Sequence, residues 1–394
     1  MRKVKLFSFH SFSLLLLIVT ACHPGGVHMI ISVENELEFD RVDEIVQVSL
    51  SGVTEGKETD PGQLAVWDGE KQLVTQHVDT DMDGMVDAVL FPATVGANST
   101  KQYEIRVRKD SLPEEKIDRC FSRFVPERTD DYAWENNRIA FRTFGPTAQS
   151  MMESGIEGGT LTSGIDCWLK RVEYPIIDKW YGKYSSGSGS YHEDDGEGLD
   201  NFHVGVSRGC GGIAVQGGSD YWVSKNFTSW KTHYSGPLKT AFTLGYDDWQ
   251  ADDRLIREGK NISLDYGSNL SHYITTIEGT DEISVGLTLN ERDGELSVNE
   301  EHGWISYWQP HGDSELAMAV VAAPETFLTY NQFMSGEKDL SNIYVHIKVN
   351  DNKAEYYSGF AWKESGQFKS KKAWEAYLTS FAIKLKNPLK VNVR

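Results

Sequence analysis

Apolar and polar residues alternate with a period of two once the N-terminal segment has passed. Met29-Ile30-Ile31-Ser32-Val33 and Glu44-Ile45-Val46-Gln47-Val48-Ser49-Leu50 both show it. Side chains two apart share one face of an extended chain, so these runs predict strands with one dry and one wet face. Further strands are expected at 64–67, 85–91, 102–108 and 139–144, then at 212–215, 239–246, 255–264, 272–278, 283–289, 304–308, 315–323 and 343–349. Gly, Asn and Asp clusters separate them at intervals typical of antiparallel sheets. Helical periodicity is scarce: 370–379 is the best stretch and 176–181 a shorter one. No internal repeat of roughly 20–50 residues is visible, which disfavours a propeller or solenoid. The pattern predicts a mostly β protein with few short helices. We divide it into an N-terminal β region over 27–125 and a larger β-sandwich, the catalytic region, over 126–394.

The beginning of the chain breaks this pattern. Arg2, Lys3 and Lys5 precede an apolar run from Phe12 to Val19, and Val19-Thr20-Ala21-Cys22 resembles a bacterial lipobox. The run is too short for a stable membrane span and reads as a signal peptide over 1–21. Cys22 is then expected to be the lipidated mature N-terminus and a membrane anchor, followed by a linker over 22–26. His23-Pro24-Gly25-Gly26 lacks an acidic run resembling a surface-export signal, which points to an outer-membrane anchor facing the periplasm. Cys120, Cys167 and Cys210 fit no zinc-knuckle spacing, and three buried free thiols are expected, with one disulfide in an oxidising periplasm as the alternative.

Charge narrows the partners. The 394 residues carry 58 acidic against 39 basic side chains, a formal net charge of −19, and loss of residues 1–21 would remove three basic groups and no acidic one. A nucleic-acid binder needs an excess of Lys and Arg, so that class is excluded. An anionic glycan is not excluded, because salt shortens long-range repulsion and a local group of arginines can hold it. Arg138, Arg142, Arg171 and Arg208 would have to converge.

Three stretches have chemistry in them. Asp79-Thr80-Asp81-Met82-Asp83-Gly84 opens like a calcium loop, with carboxylates two apart. Leu90 stands at the twelfth position in place of the bidentate Glu, and the alternative is a hairpin turn whose Asp side chains bond their own backbone. Asp130–Arg142 combines Trp134, Glu135, Asn136, Arg138 and Arg142, an aromatic face for a sugar with guanidinium groups for an anion. A strand with exposed charges and one buried Trp is the other reading. Finally, Ser163-Gly164-Ile165-Asp166-Cys167-Trp168 is followed by a Gly/Ser-rich segment over 183–190, expected to be a mobile loop. That segment leads into Tyr191-His192-Glu193-Asp194-Asp195-Gly196-Glu197-Gly198-Leu199-Asp200, and then comes Arg208-Gly209-Cys210-Gly211-Gly212. Functional groups concentrate on such loops.

These motifs, in this order and over nearly the whole chain beyond the leader, resemble a family of Bacteroidetes lipoproteins of unknown function found among polysaccharide-utilisation proteins. The resemblance implies a β-supersandwich related to galactose-mutarotase-like folds. It also implies a dehydratase or lyase acting on uronic acids of marine polysaccharides such as ulvan. Uronate elimination removes the C5 proton and expels a group from C4, which requires neutralisation of the C6 carboxylate and an acid/base residue, with no cofactor. His192 is the first choice for acid/base, Tyr191 the second and Arg208 the carboxylate neutraliser. Trp134, Asn136, Arg138, Arg142, Asp166, Trp168 and Glu197 are expected to bind substrate. His203, His233, His272 and His302 stand behind His192. Glycoside hydrolysis through a pair among Asp166, Asp194, Glu197 and Asp200 remains open, as does a non-catalytic glycan-binding role.

Overall fold

The computed structural model describes residues 29–51, 60–108 and 118–394. The leader, the lipobox and Cys22 lie outside the described residues. Every ladder between strands there is antiparallel, and three α-helices accompany the sheets. This is the mostly β, stacked-sheet architecture expected.

The N-terminal unit is a small sandwich. Met29–Asn35, Leu64–Asp68, Lys71–Gln72 and Ser99–Val107 form one sheet, and Arg41–Ser49, Gln76–Val78 and Ala88–Val95 form the other. The period-two residues Ile31, Val33, Val46, Val48, Phe91 and Ile105 meet between them in one core. The end of the chain returns to this unit: Lys390–Val393 pairs with Met29–Asn35 as an outer strand. The boundary after residue 125 also needs correction, because Phe121–Val125 pairs with Asp131–Glu135 inside the larger body. Gln76 joins the two parts, donating to the Lys239 carbonyl at 2.8 Å and accepting from the Leu238 and Lys239 amides.

In the larger body the strands Trp304–His311 and Ser314–Val321 of a nine-stranded sheet are buried on both faces. On Trp304–His311, Ile305 and Tyr307 enter the main core, whereas Trp304 and Trp308 face the helix Lys371–Lys386. A strand covered twice reads as a continuous apolar run, which is why Leu316–Ala322 does not alternate. The helix begins at Ser370, whose side chain accepts from the Ala373 amide, and it buries Trp374, Leu378 and Ala382 at a spacing of four. It continues to Lys386, beyond the stretch predicted from periodicity.

Two five-stranded sheets complete the main core. One contains Cys210–Gly217, Glu282–Thr288 and Asn342–Lys348, and the other Phe121–Val125, Asp131–Glu135, Ala140–Thr143, Asp166–Lys170 and Gly198–Leu199. Cys120, Cys167 and Cys210 are free and buried. The Gly/Ser-rich segment is not a plain loop: its first residues finish the helix Ile177–Ser185, and the Ser186 hydroxyl donates back to the Gly182 carbonyl at 2.7 Å.

Candidate functional site

The pleat of the second five-stranded sheet dictates the site. Tyr132, Trp134, Phe141, Cys167 and Leu169 face the main core. The alternate residues Asp131, Ala133, Glu135, Ala140, Arg142, Asp166, Trp168 and Lys170 therefore face the other way, with Arg142 directly opposite Asp166. The helix Ile177–Ser185 and the Tyr191–Asp200 loop cover this second face. Lys170 and Glu135 form a fully buried ion pair at 2.6 Å, and Glu135 also accepts from the Ile176 and Ile177 amides. A carboxylate thus satisfies the open amides at the start of that helix.

Arg142 is the hub. Its Nε donates to Asp166 Oδ2 at 2.7 Å, Nη2 to Asp200 Oδ2 at 2.9 Å and Nη1 to the Tyr191 hydroxyl at 3.2 Å, with Asp131 at 3.6 Å. Arg128 Nε donates to the same hydroxyl at 3.1 Å, so the Tyr191 oxygen lies between two guanidinium groups. Asp131 also accepts from Tyr181 at 3.0 Å. Three carboxylates around one buried arginine exceed its charge, and Asp131 Oδ1 and Asp166 Oδ1 are buried without a hydrogen-bond partner. Burial accordingly pushes the carboxyl of Asp131 up to about 6, against the pull of Arg142 and Arg128, and raises those of Asp166 and Asp200. The cluster can hold protons that isolated carboxylates would release.

His192 joins this buried cluster to solvent. Its Nδ1 lies 2.6 Å from the Asp200 carbonyl oxygen, and its side chain is 52% exposed. A carbonyl only accepts, so Nδ1 is the donor in this contact. The Asp200 carboxylate stands 3.6 Å from Nδ1, placed to stabilise an imidazolium. The ring packs 4.5 Å from that of Tyr191, which in turn lies against Trp168, Tyr181 and Tyr184. Gly198 makes the loop's return feasible: its φ is +111°, and a Cβ there would sit 1.9 Å from the Leu169 carbonyl oxygen.

Other expected residues go elsewhere. Trp134 and Trp168 are both 0% exposed, so neither offers a face to a sugar; Trp134 Nε1 donates to Ser271 Oγ at 3.0 Å inside the core. Asn136 is consumed by the fold, donating to the Asp265 and Ser268 carbonyls and accepting from the Arg138 and Ile139 amides. Arg208 is buried, and its guanidinium is spent on the Ser163 and Thr162 hydroxyls and the Ile213 and Val206 carbonyls, so it is not the neutraliser expected beside Tyr191. Arg142 and Asp166 bind each other. Glu197 accepts from Lys179 at 2.5 Å, from Trp180 Nε1 at 3.2 Å and from the Tyr174 hydroxyl. Arg171 pairs with Asp194 and Glu364 and stacks over Trp362. Arg138 opens on a separate cavity, as does His272. The four arginines therefore do not converge.

Arg128 was missed. It ends the short turn Pro126–Arg128 and precedes Thr129 and Asp130, both with left-handed backbone at φ 49° and 65°. No periodicity marks such a turn; the Pro126-Glu127-Arg128 string was the only sequence signal. Asp79, Asp81 and Asp83 do bring carboxylate oxygens within 4.8 Å of one another, a spacing that a hard cation could bridge. They also accept from the backbone amides of Met82, Gly84, Asp83 and Met85, and Leu90 is buried in the returning strand.

Comparison with known proteins places the chain. It is 47% identical over 370 residues to "Uncharacterized protein P7" of the marine Bacteroidetes bacterium Formosa agariphila, covering 93% of this chain and 94% of that one. Among solved structures it is similar to a protein of glycosyl hydrolase family 38 from Enterococcus faecalis, with a TM-score of 0.48, 10% identity and 93% of this chain covered. An α-mannosidase from Enterococcus faecalis V583 follows at a TM-score of 0.44, 10% identity and the same coverage. The chain spans about half the length of these two structures, 47% and 46%. The model of the family described as "Domain of unknown function (DUF4861)" matches residues 33–391, and the chain belongs to that family.

Proposed function

We propose that this protein is a carbon–oxygen lyase that eliminates across C4–C5 of a terminal uronic acid, expelling the C4 hydroxyl as water to leave a 4,5-unsaturated uronyl end. The observation behind this reading is the 2.6 Å contact of His192 Nδ1 with the Asp200 carbonyl oxygen, which leaves Nε2 of this exposed ring to serve as the base beside an arginine-flanked tyrosine.

Nε2 takes the C5 proton, the C5–H electrons form the C4=C5 bond, and the C4–O bond breaks. The imidazolium then returns its proton to the departing oxygen, so the substrate loses one water and the enzyme is unchanged. One residue serving as base and then acid suits a site with an exposed imidazole at its rim. Arg128 is the neutraliser of the C6 carboxylate: it is half-buried at the rim, and Nε and Nη1 are held by Tyr191 and Thr129. Tyr191 positions both Arg128 and the His192 ring. The hydrolytic alternative has less support, since Asp166, Asp194, Glu197 and Asp200 each already bind a cation or several donors. Membership in a family with a marine Bacteroidetes relative fits an ulvan-type oligosaccharide as substrate, met by a lipid-anchored protein facing the periplasm.

Incubation with glucuronate-terminated ulvan oligosaccharides tests the proposal. Ultraviolet absorbance should rise together with the mass loss of one water and without chain cleavage. New reducing ends without absorbance would replace elimination by hydrolysis.

A further inference from the structure

A cavity of about 760 Å³ opens between the Arg41–Ser49 strand, the outer face of the nine-stranded sheet and the helix Lys371–Lys386. Its floor is set by register: Ser263, His272 and Tyr357 lie in one row across three adjacent strands. The His272 and Tyr357 rings stack at 4.3 Å and 7°. His272 Nε2 donates to Glu355 at 2.7 Å, and Phe381 and Tyr377 of the helix supply an aromatic wall. The size falls in the range of pockets that enclose small ligands.

The charges in this cavity are unevenly committed. Glu44 is paired to Arg41, Asp265 to Lys239 at 3.0 Å and Glu355 to His272, while Asp43 accepts from Thr94 within its own sheet. Among the described residues, the Arg138 side chain donates only to the neutral Asn269 side chain, at 3.1 Å, and Lys384 stands 3.8 Å from Glu44. Among the described residues that line the cavity, Arg138 and Lys384 thus remain for a ligand, against Glu173 at the exposed rim.

We infer that this cavity is a second glycan site, distinct from the His192 loop, which holds a carboxylated sugar ring against Phe381 with its carboxylate on Arg138 and Lys384 and its hydroxyls on the His272–Glu355 pair. Aromatic faces beside fixed donors and acceptors are what a pyranose requires. Only the choice of a uronate as ligand rests on the proposed function.

The test is calorimetric titration of a glucuronate-terminated ulvan tetrasaccharide into the full-length His192→Ala protein, which removes turnover. Two binding events are expected. Phe381→Ala and Lys384→Glu, each added to that background, should weaken one of them by about tenfold or more. In otherwise wild-type protein the same two changes should leave the elimination rate on the shortest substrate unchanged. Lys384 is a partly exposed side chain, so its replacement guards against misfolding of the Phe381 variant. A single binding event that neither change weakens overturns the cavity assignment. Absence of unsaturated product from the wild-type enzyme would instead strike the proposed reaction, and binding weakened by these changes would still establish the cavity.

Discussion

Asp200 holds two partners with two different groups: its backbone carbonyl accepts from His192 Nδ1 at 2.6 Å, and its buried carboxylate accepts from Arg142 Nη2 at 2.9 Å. One residue therefore sets the tautomer of the exposed imidazole and ties that imidazole to the ionic cluster beneath it. His192→Gln should lower the elimination rate by about a hundredfold to ten-thousandfold while leaving the thermal midpoint nearly unchanged, as expected for loss of an acid/base group on an exposed side chain. Unaltered turnover on uronate-terminated oligosaccharides would remove His192 from the site.

Arg128 is expected to act on substrate through its charge. Arg128→Met should raise KM or lower kcat/KM by roughly tenfold to a hundredfold, the effect of losing one hydrogen bond to a charged group. Arg128→Lys should restore only part of it, because a lysine keeps the charge without the planar fork that bonds Tyr191. Steady-state kinetics on both variants would decide, and equal loss in the two would assign Arg128 to geometry alone.

The pH dependence of folding follows from Asp131. Its folded value, about 6, lies above the ordinary carboxylate value near ~3.9 because burial disfavours the charge. The folded chain thus holds this proton more tightly than the unfolded chain. Its stabilising contribution is complete below about pH 4 and is lost as pH rises through about 6, a change on the order of 3 kcal/mol. Asp131→Asn cannot titrate, so denaturant titrations from pH 4 to pH 7 should show the variant gaining on the wild type by that order. A constant difference across the window would contradict the assignment.

Breaking the buried Lys170–Glu135 pair should be costly. Glu135→Gln leaves Lys170 charged and without its partner, and it weakens the acceptor that serves the first amides of the Ile177–Ser185 helix. A loss of about 3–5 kcal/mol is expected. Thermal unfolding and the helical circular-dichroism signal would register it.

Trp134→Ala should cost about 3–5 kcal/mol as a core truncation. If Trp134 were instead a sugar platform, the variant would lose glycan affinity at little cost in stability. Paired melting and binding curves separate the two outcomes.

Much of the fold is legible along the chain because each sheet covered on one face leaves a period-two trace. Ile31 and Val33, or Val46 and Val48, announce themselves in this way. Strands such as Ser229–Tyr234 and Phe327–Phe333 do not, since they lie at sheet edges with most side chains exposed. Nor could periodicity separate Trp134 from a binding platform: the same alternation is produced whichever side of the strand faces the core. The Tyr191-His192 loop stood out by composition, and the structure puts Tyr191 against Arg142 and His192 against Asp200.

By itself, the sequence determined a mostly β chain and its membership in one family. These follow from local period, composition and motif order. Only the tertiary structure decided which charges meet. Arg142 lies opposite Asp166 through strand register, Arg128 reaches Tyr191 through two left-handed residues, and Arg208 turns away into Ser163 and Thr162. Contacts between residues far apart in the chain depend on register and turn geometry, and a one-residue shift in either sends the same side chain to the opposite face.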